Sequence, residues 1–436
     1  MSANIEQSVP PEAATGVASG GRGSEMLRAL GHRNFRLFWA GAFLSNVGTW
    51  MQTVAQGWLM LQLTDSAFWL GLDGFAATVP GLVLILVGGV FADHLDRKRL
   101  LLLTQIGAGV TALVLALLIS AGMVDRWTLL IASFVTGCCF SLAAPSYQAI
   151  MIDLVGREDL SNAIALNSTQ FQLSRVLGPV LAGVAFATLG LEWCFLINGL
   201  SYVVIVTALA LVRIDNGKRI AAGNSGDKQS SVPARRGLWR DLLDGFRYVQ
   251  RRPRVFLMLL ISAVTSLFGA PYLTMMPLFA RDVFQLTERG LSVLMGVAGA
   301  GAFCGALLLV LLGDVRRKSW YVLGGAAAFG LGLVGFALSK NLYVALVFLF
   351  IAGFAIVCSV AVTNMLLQKL VTDEMRGRVM SMFILSFIGA WPIGNFLAGA
   401  VAERLGAPRT LALGGFITAL FVACVTLRYP RLRELD

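Results

Sequence analysis

Gly81-Leu-Val-Leu-Ile-Leu-Val-Gly-Gly-Val-Phe-Ala-Asp93-His-Leu-Asp96-Arg-Lys-Arg99-Leu-Leu-Leu-Leu-Thr104 passes from an apolar run through a short charged turn into four consecutive leucines. Both flanks extend further, to about 68–91 and about 100–121. Each is long enough for the roughly 20 apolar residues that a membrane helix needs. A transmembrane β-barrel would instead show alternating segments of about ten residues. The stretch reads as two membrane helices joined by a turn holding Asp93, Asp96, Arg97, Lys98 and Arg99.

The same pattern recurs along the chain. Apolar runs fall at about 37–61, 68–91, 100–121, 128–151, 163–187, 193–212, 255–280, 290–312, 320–338, 342–366, 379–401 and 410–427. The expected fold is an all-α polytopic membrane protein, with twelve transmembrane helices in two six-helix bundles. Residues 1–30 read as a disordered tail with no apolar signal-peptide core, 31–212 as the first bundle and 213–254 as a linker. Residues 255–427 then form the second bundle and 428–436 a short tail. Within the linker, Leu238, Leu242, Phe246 and Val249 recur at helical spacing among basic residues, as on a helix lying along a membrane surface.

Composition agrees. Of 436 residues, 57% are apolar and 14% charged, and mean hydropathy is +0.76. Soluble domains carry about 25% charged residues, so this chain cannot coat itself for water. Six cysteines lie in apolar runs without metal-ligand spacing and read as small buried hydrophobes, and the histidines are His32 and His94. No metal site is expected. The net charge of +11 is an orientation signal: 28 Lys and Arg fall in one alternating set of loops and tails, six in the other, and Arg175 lies inside a span. Basic loops stay inside, which places both termini and the linker in the cytoplasm of a multi-pass inner-membrane protein. These basic patches suit anionic lipid, not nucleic acid.

The halves echo each other. Asp153-Leu-Val-Gly-Arg-Glu-Asp-Leu-Ser-Asn162 follows the fourth run as Lys369-Leu-Val-Thr-Asp-Glu-Met-Arg-Gly-Arg378 follows the tenth. The turn after the second run has its counterpart around Asp314 after the eighth. Parallel repeats of this kind belong to carriers that work by alternating access.

Residues 31–427 resemble the major facilitator superfamily, and within it the bacterial drug and siderophore exporters that include macrolide efflux proteins and the enterobactin exporter. The resemblance rests on Gly89 to Arg99, on Ser174-Arg175-Val-Leu-Gly178-Pro179-Val-Leu-Ala-Gly183, on Asn46 to Trp58 and on Asp373 to Arg378. It implies a gate on the cytoplasmic side made by Gly89, Asp93, Arg97 and Lys98, with Arg376 or Arg378 as partners and Asp314 as the second-half equivalent. It also implies an antiporter-like motif at Arg175, Gly178, Pro179 and Gly183, and a proton gradient as the energy source with no cofactor. Asp96 departs from the family, which usually has glycine there.

Charges inside a bilayer are expensive and default to functional hypotheses. Arg175 lies mid-span; it either serves coupling or bonds to carbonyls of a neighbouring helix. Asp73 is the acidic residue inside a run, and is either the proton-coupling group or a solvated residue at the outer mouth. In the second case coupling falls to Asp93, to Asp153 or to the substrate. Buried amides need partners, which makes Asn46, Gln52, Gln56, Asn167, Gln170, Asn364 and Asn395 candidates for a cavity, with Trp391 and other aromatics as an apolar wall. No phosphate-binding loop is present, so ATP does not drive transport through this chain. The expected function is efflux of small amphiphilic molecules by proton antiport, from a monomer. The alternatives are a uniporter or importer of the same fold, and a non-transporting receptor or assembly protein.

Overall fold

The structure, a computed structural model, describes residues 27–94, 96–212, 245–313 and 317–430, and within these omits the side-chain surroundings of 83 and 85–94. Asp314 and nearly all of the terminal tails and the linker lie outside the described residues. Among those described, the regular structure is entirely helical.

The long helices are α1 (Arg33–Thr64), α2 (Ala67–His94), α3 (Arg97–Ser120), α4 (Arg126–Val155), α5 (Leu160–Thr188) and α6 (Glu192–Leu211). Then come α7 (Pro253–Val283), α8 (Glu288–Leu312), α9 (Lys318–Leu338), α10 (Leu342–Leu370), α11 (Asp373–Leu405) and α12 (Ala407–Arg428). Ten of them, α3 to α12, are long and apolar enough to cross a membrane. Large apolar side chains stand outward: Leu103, Leu117, Phe140 and Leu311 are 67 to 71% exposed. Water would not tolerate such a belt, and lipid covers it. This is an all-α polytopic membrane protein.

Local chemistry sets the helix ends. Asp96 accepts from the Lys98 amide at 2.9 Å to start α3, and Asp125 from the Thr128 amide at 2.8 Å to start α4. Asn341 accepts from the amides of Tyr343 and Val344 at 2.9 and 3.3 Å to start α10. These side chains satisfy amides that have no partner within the helix. Pro271 and Pro277 lack the N–H that would continue α7, and that helix widens into π turns at Thr265–Gly269 and Phe279–Val283.

Several helix ends differ from the sequence expectation: Asp93 falls on α2 and Arg97 to Arg99 on α3, not in the turn between them. α1 begins at Arg33 and α11 at Asp373, so Arg33, Arg36, Arg376 and Arg378 belong to helices and not to loops. Charged side chains can reach the headgroups from a helical backbone. Of the cysteines, only Cys194 and Cys358 are buried, and Cys424 is exposed. The described end of the linker is helical over 245–250, with Val249 buried and Phe246 exposed.

Packing falls into two sets. α2 packs on α4, α1 on α5 and α6, and α3 on α4 and α6; α9 packs on α10 and α12, and α8 on α10. The sets meet along α5 with α8 and α2 with α11. The Gly296-Gly299-Gly301 run serves this packing, because a Cβ at Gly299 would collide with the Arg175 carbonyl and one at Gly301 with the Phe350 carbonyl. The start of α1 and the end of α12 lie on one face, here the terminal face. The opposite one is the far face.

Candidate functional site

A cavity of about 560 Å³ lies between the sets. Its polar lining starts on α1, where Asn46, Thr49, Gln52, Thr53 and Gln56 recur down one side of the helix. Gln52 donates to Gln56 at 3.3 Å and accepts from the Asn198 amide of α6 at 2.7 Å. Gln56 in turn donates to both Asp73 carboxylate oxygens, at 3.2 and 3.4 Å. The Ser133 hydroxyl of α4 completes the cluster, bonded to both Gln56 and Asp73. The result is an unbroken run of neutral groups from α6 across α1 to a carboxylate on α2. Among the described residues no cation pairs with Asp73.

A second polar cluster lines the α4–α5 side. Tyr147 and Gln170 both donate to the Asn167 side-chain oxygen, at 2.8 and 3.1 Å. Gln170 is 1% exposed and its own side-chain oxygen has no partner. From the second set, Asn395 accepts from the Thr274 hydroxyl at 3.1 Å, and Trp391 adds apolar surface. The sequence-predicted cavity residues Asn46, Gln52, Gln56, Asn167, Gln170, Trp391 and Asn395 thus share one cavity. Asn364 stands apart on α10 and accepts from Gln368 at 2.5 Å. Asp73 itself lies in the cavity wall.

Arg175 is not in that wall. Its guanidinium sits 5.2 Å from the ring centre of Trp50, an aromatic that does line the cavity, in a cation–π geometry. The buried Tyr272 hydroxyl has Arg175 as its charged neighbour. The rest of the motif is helix packing: a Cβ at Gly178 would collide with Trp50 of α1, and one at Gly183 would lie 3.1 Å from Ser292 of α8. Pro179 is buried within α5.

The far face is bridged between the sets. Arg281 pairs with Asp65 at 2.5 Å. Glu403 of α11 accepts from the Ser66 hydroxyl at 2.9 Å and the Phe68 amide at 3.0 Å. Arg289 donates to the Ala187 carbonyl at 3.3 Å. From this closed side the cavity runs to Gln105 and Gln148, about two turns short of the terminal-face ends of α3 and α4.

Residues 25–436 match the family model described as transmembrane secretion effector, within the major facilitator superfamily. The chain belongs to this family. It is a membrane carrier and not an enzyme. The staphyloferrin A transporter of Staphylococcus aureus is 24% identical over 397 residues, covering 90% of this chain and 94% of that protein. Macrolide efflux protein A of Streptococcus pyogenes is 22% identical over 403 residues, covering 92% and 96%. Among solved structures, the nucleoside transporter NupG superposes with a TM-score of 0.71 at 11% identity, covering 91% of this chain and 99% of that one. That likeness is one of fold.

On the terminal face, the ion pairs among the described residues each stay within one set. Arg97 pairs with Asp153 at 3.3 Å, and Lys98 donates to the carbonyls of Ala210 and Val212 at 3.1 and 2.7 Å. Arg376 pairs with Asp373 at 2.5 Å, and an Arg378 nitrogen lies 3.7 Å from the Met375 sulfur. Gly89 and Asp93 belong to α2, but their surroundings lie outside the described part. Sequence reasoning missed Ser133, Asn198, Asp65, Arg281 and Glu403. Asn198 carried a signal, as an amide in an apolar run. Ser133 carried none, since a hydroxyl can bond within its own helix.

Proposed function

We propose that this protein exports small amphiphilic molecules, drug-like compounds or siderophores, in exchange for protons. It works by alternating access between two six-helix bundles of twelve spans in the inner membrane, with both termini cytoplasmic. The 28 to 6 split of basic residues supports that orientation. The relatives named above, a staphyloferrin A transporter and a macrolide efflux protein, support the substrate class. A cavity of about 560 Å³ suits a small organic molecule, and its mix of amides with Trp50 and Trp391 suits one with polar and apolar parts.

The observation that carries proton exchange is Asp73. It is a carboxylate in the cavity wall, held by Ser133 and Gln56, with no fixed counter-charge among the described residues. A proton can therefore neutralise it. The test is uptake into inside-out vesicles with an imposed pH gradient, screened over dyes, macrolides, tetracyclines and siderophores. Gradient-driven uptake is expected, and Asp73→Asn is expected to abolish the gradient dependence while substrate binding survives. Uptake that ignores the gradient in the unaltered protein refutes exchange and favours a uniporter. Intact gradient-driven uptake in Asp73→Asn moves the proton site to Asp93 or Asp153.

A further inference from the structure

Where α7 begins, the ends of α10 and α12 come alongside and leave a groove of about 460 Å³ on the terminal face. Arg251, Arg252 and Arg254 form one edge, and Val255, Leu370 and Tyr429 the wall. The Arg252 guanidinium stacks 4.8 Å from the Tyr248 ring centre, and Arg428 lies 5.9 Å from that of Tyr429. Among the described residues none of these four arginines pairs with a carboxylate.

Three guanidiniums within four residues repel one another unless an anion sits among them. Phosphate oxygens match the guanidinium fork. The wall sets the kind of anion. Leu370, half-buried, and Tyr429, exposed, leave apolar surface in the groove, from which a free inorganic ion gains nothing. We propose that this groove binds an anionic phospholipid, with the phosphodiester held by Arg251, Arg252 and Arg254 and the start of an acyl chain laid on Leu370 and Tyr429. The site lies outside the transport cavity, and its occupancy does not depend on the direction or coupling of transport.

The test uses the purified full-length protein in detergent, exposed to an equimolar mixture of phosphatidylglycerol and phosphatidylcholine and examined by native mass spectrometry. Phosphatidylglycerol is expected to be retained over phosphatidylcholine. The triple variant Arg251→Gln, Arg252→Gln, Arg254→Gln is expected to lower its retention by about tenfold or more, since each basic residue near a membrane surface contributes on the order of a fivefold preference. Leu370→Trp fills the groove while keeping every charge, and it is expected to lower retention as well. Arg409→Gln on the far face is expected to leave retention unchanged. Size-exclusion chromatography checks that each variant is folded, and the single Arg254→Gln substitutes for the triple variant if that one is not. Equal retention by the wild type, the arginine variant and Leu370→Trp overturns the site. Displacement of phosphatidylglycerol by equimolar inorganic phosphate assigns it to a free anion and overturns the lipid.

Discussion

Glu403 caps a helix to which it does not belong. Ser66 accepts from the Trp69 amide at 3.4 Å and donates to Glu403, which also takes the Phe68 amide at the start of α2. In a capping box the acidic side chain sits three residues into the same helix, but here α11 supplies it. The cap exists only while the far face is closed, so Glu403→Ala weakens the closed arrangement and leaves the open one untouched. A lost cap costs about 1 kcal/mol, a carboxylate at a helix N-terminus adds about 0.3 to 1 kcal/mol, and exposure pulls the sum down. A net of about 1 kcal/mol shifts the closed-to-open ratio about fivefold. Spin labels at Met123→Cys and Lys340→Cys, on exposed far-face turns of the two sets and in a background lacking the native cysteines, report the separation. Pulsed dipolar spectroscopy is expected to show the long-distance population rising about fivefold in Glu403→Ala and less in Glu403→Gln, whose amide oxygen still accepts. An unchanged distribution in Glu403→Ala, with opening in Asp65→Ala, refutes the cap as a closing device and leaves the role to the Asp65–Arg281 pair.

Gly299→Leu drives a side chain into the Arg175 backbone where α5 meets α8; overpacking of this kind costs about 1 to 3 kcal/mol. A lowered midpoint in a detergent melt checks it, and an unchanged midpoint means the helices meet elsewhere. Asp125, outside the spans at the start of α4, is held below the usual carboxylate range by the Thr128 hydroxyl and amide. Its folded form favours the charge, so its cap is complete above about pH 4 and is lost as pH falls through the lowered value. Protection of the Thr128 amide against hydrogen exchange is expected to stay flat above pH 5 and fall in acid; in Asp125→Asn that acid-dependent fall disappears.

The helices were legible because a bilayer demands about 20 apolar residues in a row, and few other structures do. Their ends were not: Asp373 to Arg378 reads as a charged loop, yet the backbone there is already helical. The cavity amides were legible for the same reason as the spans, since a buried amide in lipid needs a partner. Which partner was not. Nothing along the chain links Gln52 to Asn198, 146 residues away, or Ser66 to Glu403, 337 away. Arg175 stood out by its cost, but its placement beside Trp50 and away from the cavity wall depends on how far α5 rotates toward α8.

Asp73 sits between two glycines that fix the boundary between the sets. A Cβ at Gly71 would lie 2.6 Å from both the Asn395 carbonyl oxygen and the Gly399 Cα, and one at Gly74 2.8 Å from the Asn395 side-chain nitrogen. α11 therefore covers the same turn of α2 that carries the carboxylate. The donors to Asp73 come from elsewhere, Gln56 from α1 and Ser133 from α4, and both helices travel with α2. Separating the sets at the far face lifts α11 from that turn and leaves the hydrogen bonds in place. What changes is the access of water to the carboxylate, not its partners. The proton exchange proposed above rests on that separation of roles: a site whose binding groups stay constant while the side from which it is reached alternates.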